Sequence, residues 1–291
     1  MSGMSGKLNH GWRVAATGFV FVVFGVGAIF ISLTMFPLLR LSAWNRDVAR
    51  RRIQRGMQIT FKVYMELMRS LGICTFSVDG IEAESLKRLR QPGRLIIANH
   101  PTLIDVVLLG SLLPEVDCIV KRGLWRNPFL RWPVSWAGYI PNSEGPSTNG
   151  EDLVDRCAAT LRAGHSLLVF PEGTRTVPGQ PMRLQRGAAH IALAADVEIL
   201  PVTITCDPIT LFRGNPWYRV PARRFHMQVK VGTPVAASSF REAGETASRS
   251  ARRLSQWMLA YYESPPVQPP KAVAAPERTW LAEPARTSGA N

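Results

Sequence analysis

Two short segments hold the residues best suited to chemistry. The first is Asn99-His100-Pro101-Thr102-Leu103-Ile104-Asp105. An imidazole, with an ordinary pKa of about 6.5, suits general-base work. A carboxylate five residues on can reach back to the ring, fix its tautomer and stabilise the imidazolium formed when the other nitrogen takes a proton. The same residues also support a purely local reading. Thr102 and Asp105 have the Thr-x-x-Asp spacing of a capping box, which starts a helix without any chemistry. The second segment is Phe170-Pro171-Glu172-Gly173-Thr174-Arg175. Gly173 permits a tight turn that offers backbone N–H groups, and Arg175 adds a planar fork that matches phosphate. A surface turn carrying a weak Glu–Arg ion pair fits these residues equally well.

Both segments follow apolar runs. Leu95–Ala98 and Ser166–Phe170 read as buried strands, so each chemical segment stands where a strand ends. In α/β sheets ligands gather at the carboxyl ends of strands. Further strands are expected at Phe76–Val78, before an Asp79-Gly80 turn, and at Val116–Val120, Ile199–Thr205 and His226–Val231. Helical spacing marks 46–72, Leu103–Leu113, Leu153–Ala163 with Gly164 as its stop, Gly187–Ala195 and 246–262. Strands that alternate with helices predict an α/β fold, a mixed sheet flanked by helices.

Ahead of this domain, Val14–Leu39 runs for 26 residues without a charge. About 20 apolar residues cross a bilayer as a helix, and a cleaved signal would have a shorter apolar core. A transmembrane or membrane-embedded N-terminal helix is expected. Arg40, Arg46, Arg50, Arg51, Arg52 and Arg55 follow the run, against Lys7 and Arg13 before it. This bias places residues 46–263 on the cytoplasmic face of a cell membrane, with the arginines near anionic lipid. The organisation is therefore a membrane anchor at 1–45, a catalytic domain at 46–263 and a Pro/Ala-rich disordered tail at 264–291, where six prolines fall in 28 residues.

The chain of 291 residues carries a formal charge of +14, which favours anionic partners. Lys121–Trp136 and Leu211–Arg224 mix basic and aromatic residues. Such stretches suit a lipid headgroup zone, and they also suit single-stranded nucleic acid. Beside an apolar run of membrane length, lipid is the expected partner and nucleic acid is not. Cys74, Cys118, Cys157 and Cys206 form no CxxC pair, so no metal site or disulfide framework is expected. HExxH, GxSxG and Walker patterns are missing from the sequence, which leaves a covalent serine mechanism and ATP use without support. The histidines at 10, 165, 190 and 226 show no partners in the sequence.

Taken together, the two segments resemble a known family. His-x4-Asp after a strand, then Phe-Pro-Glu-Gly-Thr-Arg about 70 residues later, is similar to the glycerolipid acyltransferases typified by 1-acyl-glycerol-3-phosphate acyltransferase, over roughly residues 75–235. The resemblance implies catalytic roles for His100 and Asp105, and acceptor-phosphate binding by Glu172, Gly173, Thr174 and Arg175. It also implies that Lys121, with Pro128 and Gly138 downstream, belongs to an acceptor block, and that Leu200-Pro201-Val202 is a packing or acyl-chain motif. That block ends in an Ile-Asp-Arg type sequence in the family; here it reads Gly138-Tyr139-Ile140-Pro141-Asn142-Ser143, without the charged pair.

The expected reaction moves an acyl group from acyl-CoA or acyl carrier protein to a hydroxyl of a lysophospholipid-type acceptor, with no cofactor. His100 takes the hydroxyl proton, Asp105 orients the ring, and Lys121 or a backbone N–H steadies the oxyanion. A non-glycerophosphate acceptor, such as a lyso-ornithine-type lipid, is one alternative. A non-catalytic basic lipid-binding module tethered to the membrane is another.

Overall fold

A computed structural model describes residues 2–79, 82–142 and 150–263. Its elements are α1 (Ser2–Leu33), α2 (Met35–Leu41), α3 (Arg46–Ser70), β1 (Cys74–Val78), α4 (Glu82–Leu89), β2 (Leu95–Ala98), α5 (Asp105–Leu112), β3 (Asp117–Lys121), α6 (Arg122–Arg126), α7 (Arg131–Trp136), β4 (Ile140–Asn142), α8 (Gly150–Arg162), β5 (Leu167–Val169), α9 (Gly187–Ala195), β6 (Glu198–Asp207), β7 (Phe225–Val231), β8 (Val235–Ala236) and α10 (Ala247–Glu263).

The strands form one mixed sheet in the order β1-β7-β6-β2-β5-β3-β4, with β8 beside β6. Within it, β6, β2, β5, β3 and β4 run parallel, and β7 and β8 run antiparallel to β6. The fold expected from the sequence is therefore present. Central β2 explains why: all four of its residues are buried, as a parallel strand covered on both faces requires. Ile96 and Ala98 join the core under α3 and α5, while Leu95 and Ile97 join the core under α8, α9 and α10.

Most predicted strands and helices appear with shifted ends. Several elements left no sequence signal. β4 contains Pro141 and, among the described residues, pairs with β3 alone; an edge strand tolerates the missing N–H. Helix α5 starts at Asp105 rather than Leu103: Ile104 is its N-cap, with φ −96 and ψ 2, and accepts the Leu108 N–H (2.9 Å), while the Leu103 N–H donates to the Leu211 carbonyl (3.0 Å). At the expected Asp79-Gly80 turn, Asp79 N–H still donates to Val229 O (2.8 Å), adding a rung to the β1–β7 ladder; Gly80 lies outside the described residues. Ser143 and the tail 264–291 also lie outside them. The four cysteines are free thiols.

The N-terminal apolar helix does not stand apart. Leu8–Leu41 is long and apolar enough to cross a membrane, yet α1 and α2 run back along α3. The Trp12 indole donates to Leu71 O (3.3 Å), Arg13 Nε to Pro221 O (3.0 Å) and the Tyr64 hydroxyl to Val20 O (3.2 Å). Further along, Leu39 and Met35 sit over Gly56, where an added Cβ would come within 2.9 Å of Leu39, and Arg52 reaches Ser42 O (2.6 Å). The far side of this hairpin stays apolar and exposed at Val22, Val26, Phe30, Leu33, Ile59 and Val63.

Candidate active site

His100 stands two residues past β2, at the carboxyl edge of the parallel strands. Asn99 holds the start of this loop. Its side-chain amide donates to Ile204 O (2.8 Å) and accepts from Ile204 N (2.6 Å), extending the β2–β6 ladder by a side chain. Pro101 then keeps His100 out of helical backbone angles, and the chain turns into α5.

The capping box does not form: α5 has Ile104 as its N-cap, without a side-chain cap, and Thr102 meets Asp105 in the turn ahead of the helix. Asp105 Oδ2 accepts the Thr102 N–H (2.7 Å), and Oδ1 accepts the Thr102 hydroxyl (2.6 Å). Oδ2 also faces His100 Nδ1 at 2.9 Å. With Asp105 ionised, Nδ1 donates and the lone pair stays on Nε2. Asp105 is fully buried and the His100 side chain is 17% exposed. Burial pushes the Asp105 carboxyl above the ordinary range, and the hydrogen bonds from His100 and Thr102 oppose that shift. The dyad is therefore a sheltered carboxylate behind an imidazole that reaches the surface.

The second segment meets the first directly. Phe170 stacks on the His100 ring, centroids 4.5 Å apart. Gly173 N–H donates to Phe170 O (3.0 Å), closing a four-residue turn with Pro171 in second place. Gly173 has φ +65, a backbone angle suited to glycine. Glu172 is buried, and its Oε1 accepts the backbone N–H of His100 (2.8 Å). Arg175 Nη1 donates to Leu211 O (2.9 Å). Gly173 is exposed and Thr174 half-buried on the same turn.

Lys121 lies at the same edge but away from the dyad. Leu95, Leu167 and Asp117 share one register level, which brings Lys121 level with Asn99 across two strand spacings, roughly 10 Å. Gly138 packs instead on Arg50 of α3, where a Cβ would come within 2.5 Å of Nε.

Two participants escape sequence reasoning, and one histidine gains partners elsewhere. Thr176 donates from its hydroxyl to Glu172 Oε2 (2.8 Å) and from its N–H to His100 O (2.8 Å). The Leu211 carbonyl, at a non-glycine φ of +52, receives both Leu103 N–H and Arg175. His226 sits between the Thr75 (2.8 Å) and Ser77 (3.0 Å) hydroxyls, away from this site on the β1–β7 edge.

Residues 80–205, which contain both segments, match the Acyltransferase family model. This stretch is thus similar to acyltransferase domains. The chain is similar to a chloroplastic 1-acyl-sn-glycerol-3-phosphate acyltransferase of Arabidopsis thaliana, 30% identical over 140 residues, covering 48% of this chain and 39% of that one. It is similar also to a 1-acyl-sn-glycerol-3-phosphate acyltransferase of Helicobacter pylori, 28% identical over 163 residues, covering 55% of this chain and 68% of that one. The chain thus spans about two fifths of the length of the Arabidopsis relative. The crystal structure of the 1-acyl-sn-glycerophosphate acyltransferase PlsC from Thermotoga maritima shares the fold, with a TM-score of 0.58 at 19% identity over 87% of this chain and 96% of that one.

Proposed function

We propose that this acyltransferase moves a fatty acyl group from acyl-CoA or acyl carrier protein to a hydroxyl of a lysophospholipid, with 1-acyl-glycerol-3-phosphate as the foremost acceptor. The observation that carries the reading is the His100 Nδ1–Asp105 Oδ2 contact of 2.9 Å, which leaves Nε2 as the base. Nε2 takes the acceptor's hydroxyl proton as the oxygen bonds to the thioester carbonyl carbon. The C–S bond then breaks, and the imidazolium returns the proton to the departing thiolate. Lys121 or a backbone N–H of the Glu172–Arg175 turn steadies the oxyanion. Gly173, Thr174 and Arg175 face the acceptor phosphate.

The exposed apolar hairpin face suits membrane lipid as partner, and the arginines after α2 favour the cytoplasmic side. Protease protection of residues 46–263 in sealed, cytoplasm-outside vesicles would contradict that side.

A second acceptor class has its own support. β4 contributes only Ile140, Pro141 and Asn142 at the edge where the resemblance leads one to expect a charged pair. This favours an acceptor hydroxyl with less phosphate, such as a lyso-ornithine-type lipid. The test incubates the purified protein in phospholipid micelles with labelled acyl-CoA or acyl carrier protein and a panel of lyso-acceptors, beside His100→Ala. Label in a diacyl product, lost in the variant, supports the reading and names the acceptor. Equal transfer by both proteins refutes the dyad.

A further inference from the structure

Two hydrogen bonds reach the backbone of His100 from the turn at 170–176, and two more brace that turn from within. Glu172 Oε1 accepts the His100 N–H at 2.8 Å. Thr176 N–H donates to the His100 carbonyl at 2.8 Å. The Thr176 hydroxyl donates to Glu172 Oε2 at 2.8 Å, which locks the two holders to each other. Gly173 N–H closes the turn onto Phe170 O, and the Phe170 ring lies against the imidazole.

We infer that Glu172 and Thr176 are positioning residues that clamp the His100 backbone, and that Glu172 does not bind the acceptor phosphate. The assignment rests on the acyl-transfer reading of the dyad given above. Two physical arguments carry it. Both carboxylate oxygens of Glu172 are already occupied, and the residue is only 7% exposed. A carboxylate beside a phosphate is also a like-charge neighbour, so a glutamate in a phosphate-facing turn needs another reason to be there. The backbone of His100 supplies that reason. Asp105 fixes the ring at Nδ1, Pro101 fixes the outgoing chain, and the Glu172–Thr176 pair fixes the peptide in between. Nε2 is thereby aimed by two segments that would otherwise move independently.

The prediction separates positioning from binding. Misplacing a reacting group by an ångström costs up to about 10²-fold in rate. In labelled acyl-CoA assays with 1-acyl-glycerol-3-phosphate, Glu172→Ala should lower kcat by about 10–100-fold and leave the acceptor KM within about twofold. Glu172→Gln can still accept the His100 N–H and meet the Thr176 hydroxyl, so it should restore most of the rate. Thr176→Ala keeps its backbone donor and should lose about 3–10-fold in kcat. A rise in acceptor KM at unchanged kcat in Glu172→Ala, or a glutamine variant as poor as the alanine one, overturns the clamp.

A second readout is independent of turnover. In spectra of protein labelled with ¹⁵N-histidine, the His100 Nδ1–H signal is identified by its loss in His100→Ala. It should shift or broaden in Glu172→Ala and stay in place in Glu172→Gln. An unmoved signal in Glu172→Ala overturns the clamp. A wild type that acylates none of the acceptors removes the acyl-transfer reading, while the spectra still decide the clamp. Should Glu172→Ala fail to fold, Thr176→Ala and Glu172→Gln decide it by the same two measurements.

Discussion

Asn99 pairs through its side-chain amide with both backbone groups of Ile204, accepting at 2.6 Å and donating at 2.8 Å. Ile204 is 1% exposed, so nothing else can satisfy those groups. Asn99→Ala should therefore cost about 2–3 kcal/mol, the penalty of leaving a buried donor and acceptor unmade. Asn99→Asp can replace the acceptor but sets a carboxylate against the Ile204 carbonyl, and should fare no better. Urea unfolding of the three proteins measures this; equal midpoints would show the bond pair to be dispensable.

Within the dyad, the two partners should fail differently. His100→Ala removes the base and one hydrogen bond to Asp105. Activity should fall about 10²–10⁴-fold, with about 1 kcal/mol of stability lost. Asp105→Asn offers one acceptor oxygen where Thr102 N–H, Thr102 hydroxyl and His100 Nδ1 now share two. Its amide also favours the imidazole tautomer protonated at Nε2, which cannot take a proton. It should lose at least about 10²-fold in rate together with about 1–3 kcal/mol of stability. Rates and melting midpoints measured side by side distinguish the two patterns.

Asp117 should give the fold a distinct pH dependence. It is buried at the start of β3, paired with Arg50 and bonded by Gln54 Nε2 (2.8 Å). Burial, opposed by Arg50 and Gln54, pushes its pKa from 3.8 up to about 6. Between those values the folded chain binds more protons than the unfolded one, so this group's contribution makes stability fall as pH rises through the window. The full effect is on the order of 3 kcal/mol. Unfolding midpoints for wild type and Asp117→Asn from pH 4 to 7 test it: the variant should show a flatter curve, and parallel curves would refute the assignment.

Gly110 of α5 lies against Phe61 of α3, where a Cβ would come within 2.6 Å of the ring. Gly110→Ala must displace that ring or the helix that begins with Asp105. The cost should be about 1–3 kcal/mol, with a drop in kcat as α5 shifts. A melting curve and an activity assay check both parts; a variant of wild-type stability would mean that the helices separate freely.

The sequence determined much of this protein by itself. Strand β2 is a continuous apolar run, and Pro101 and Pro171 each follow a strand end, so His100 and the Glu172 turn were placed at the sheet's edge by local patterns alone. The His-x4-Asp spacing also brought Asp105 to the ring, because residues on either side of a helix start lie within one turn of each other. Tertiary structure decided the rest. It gave one Asp105 oxygen both the Thr102 N–H and the His100 ring, and left the start of α5 to Ile104. It committed Glu172 to the His100 backbone, recruited Thr176 and Leu211, and folded the apolar helix back onto α3. Glu172 meets His100 across 72 positions, Arg175 meets Leu211 across 36, and Tyr64 meets Val20 across 44. Contacts at such separations impose no periodicity and require no particular neighbour in the chain, so no local pattern can announce them.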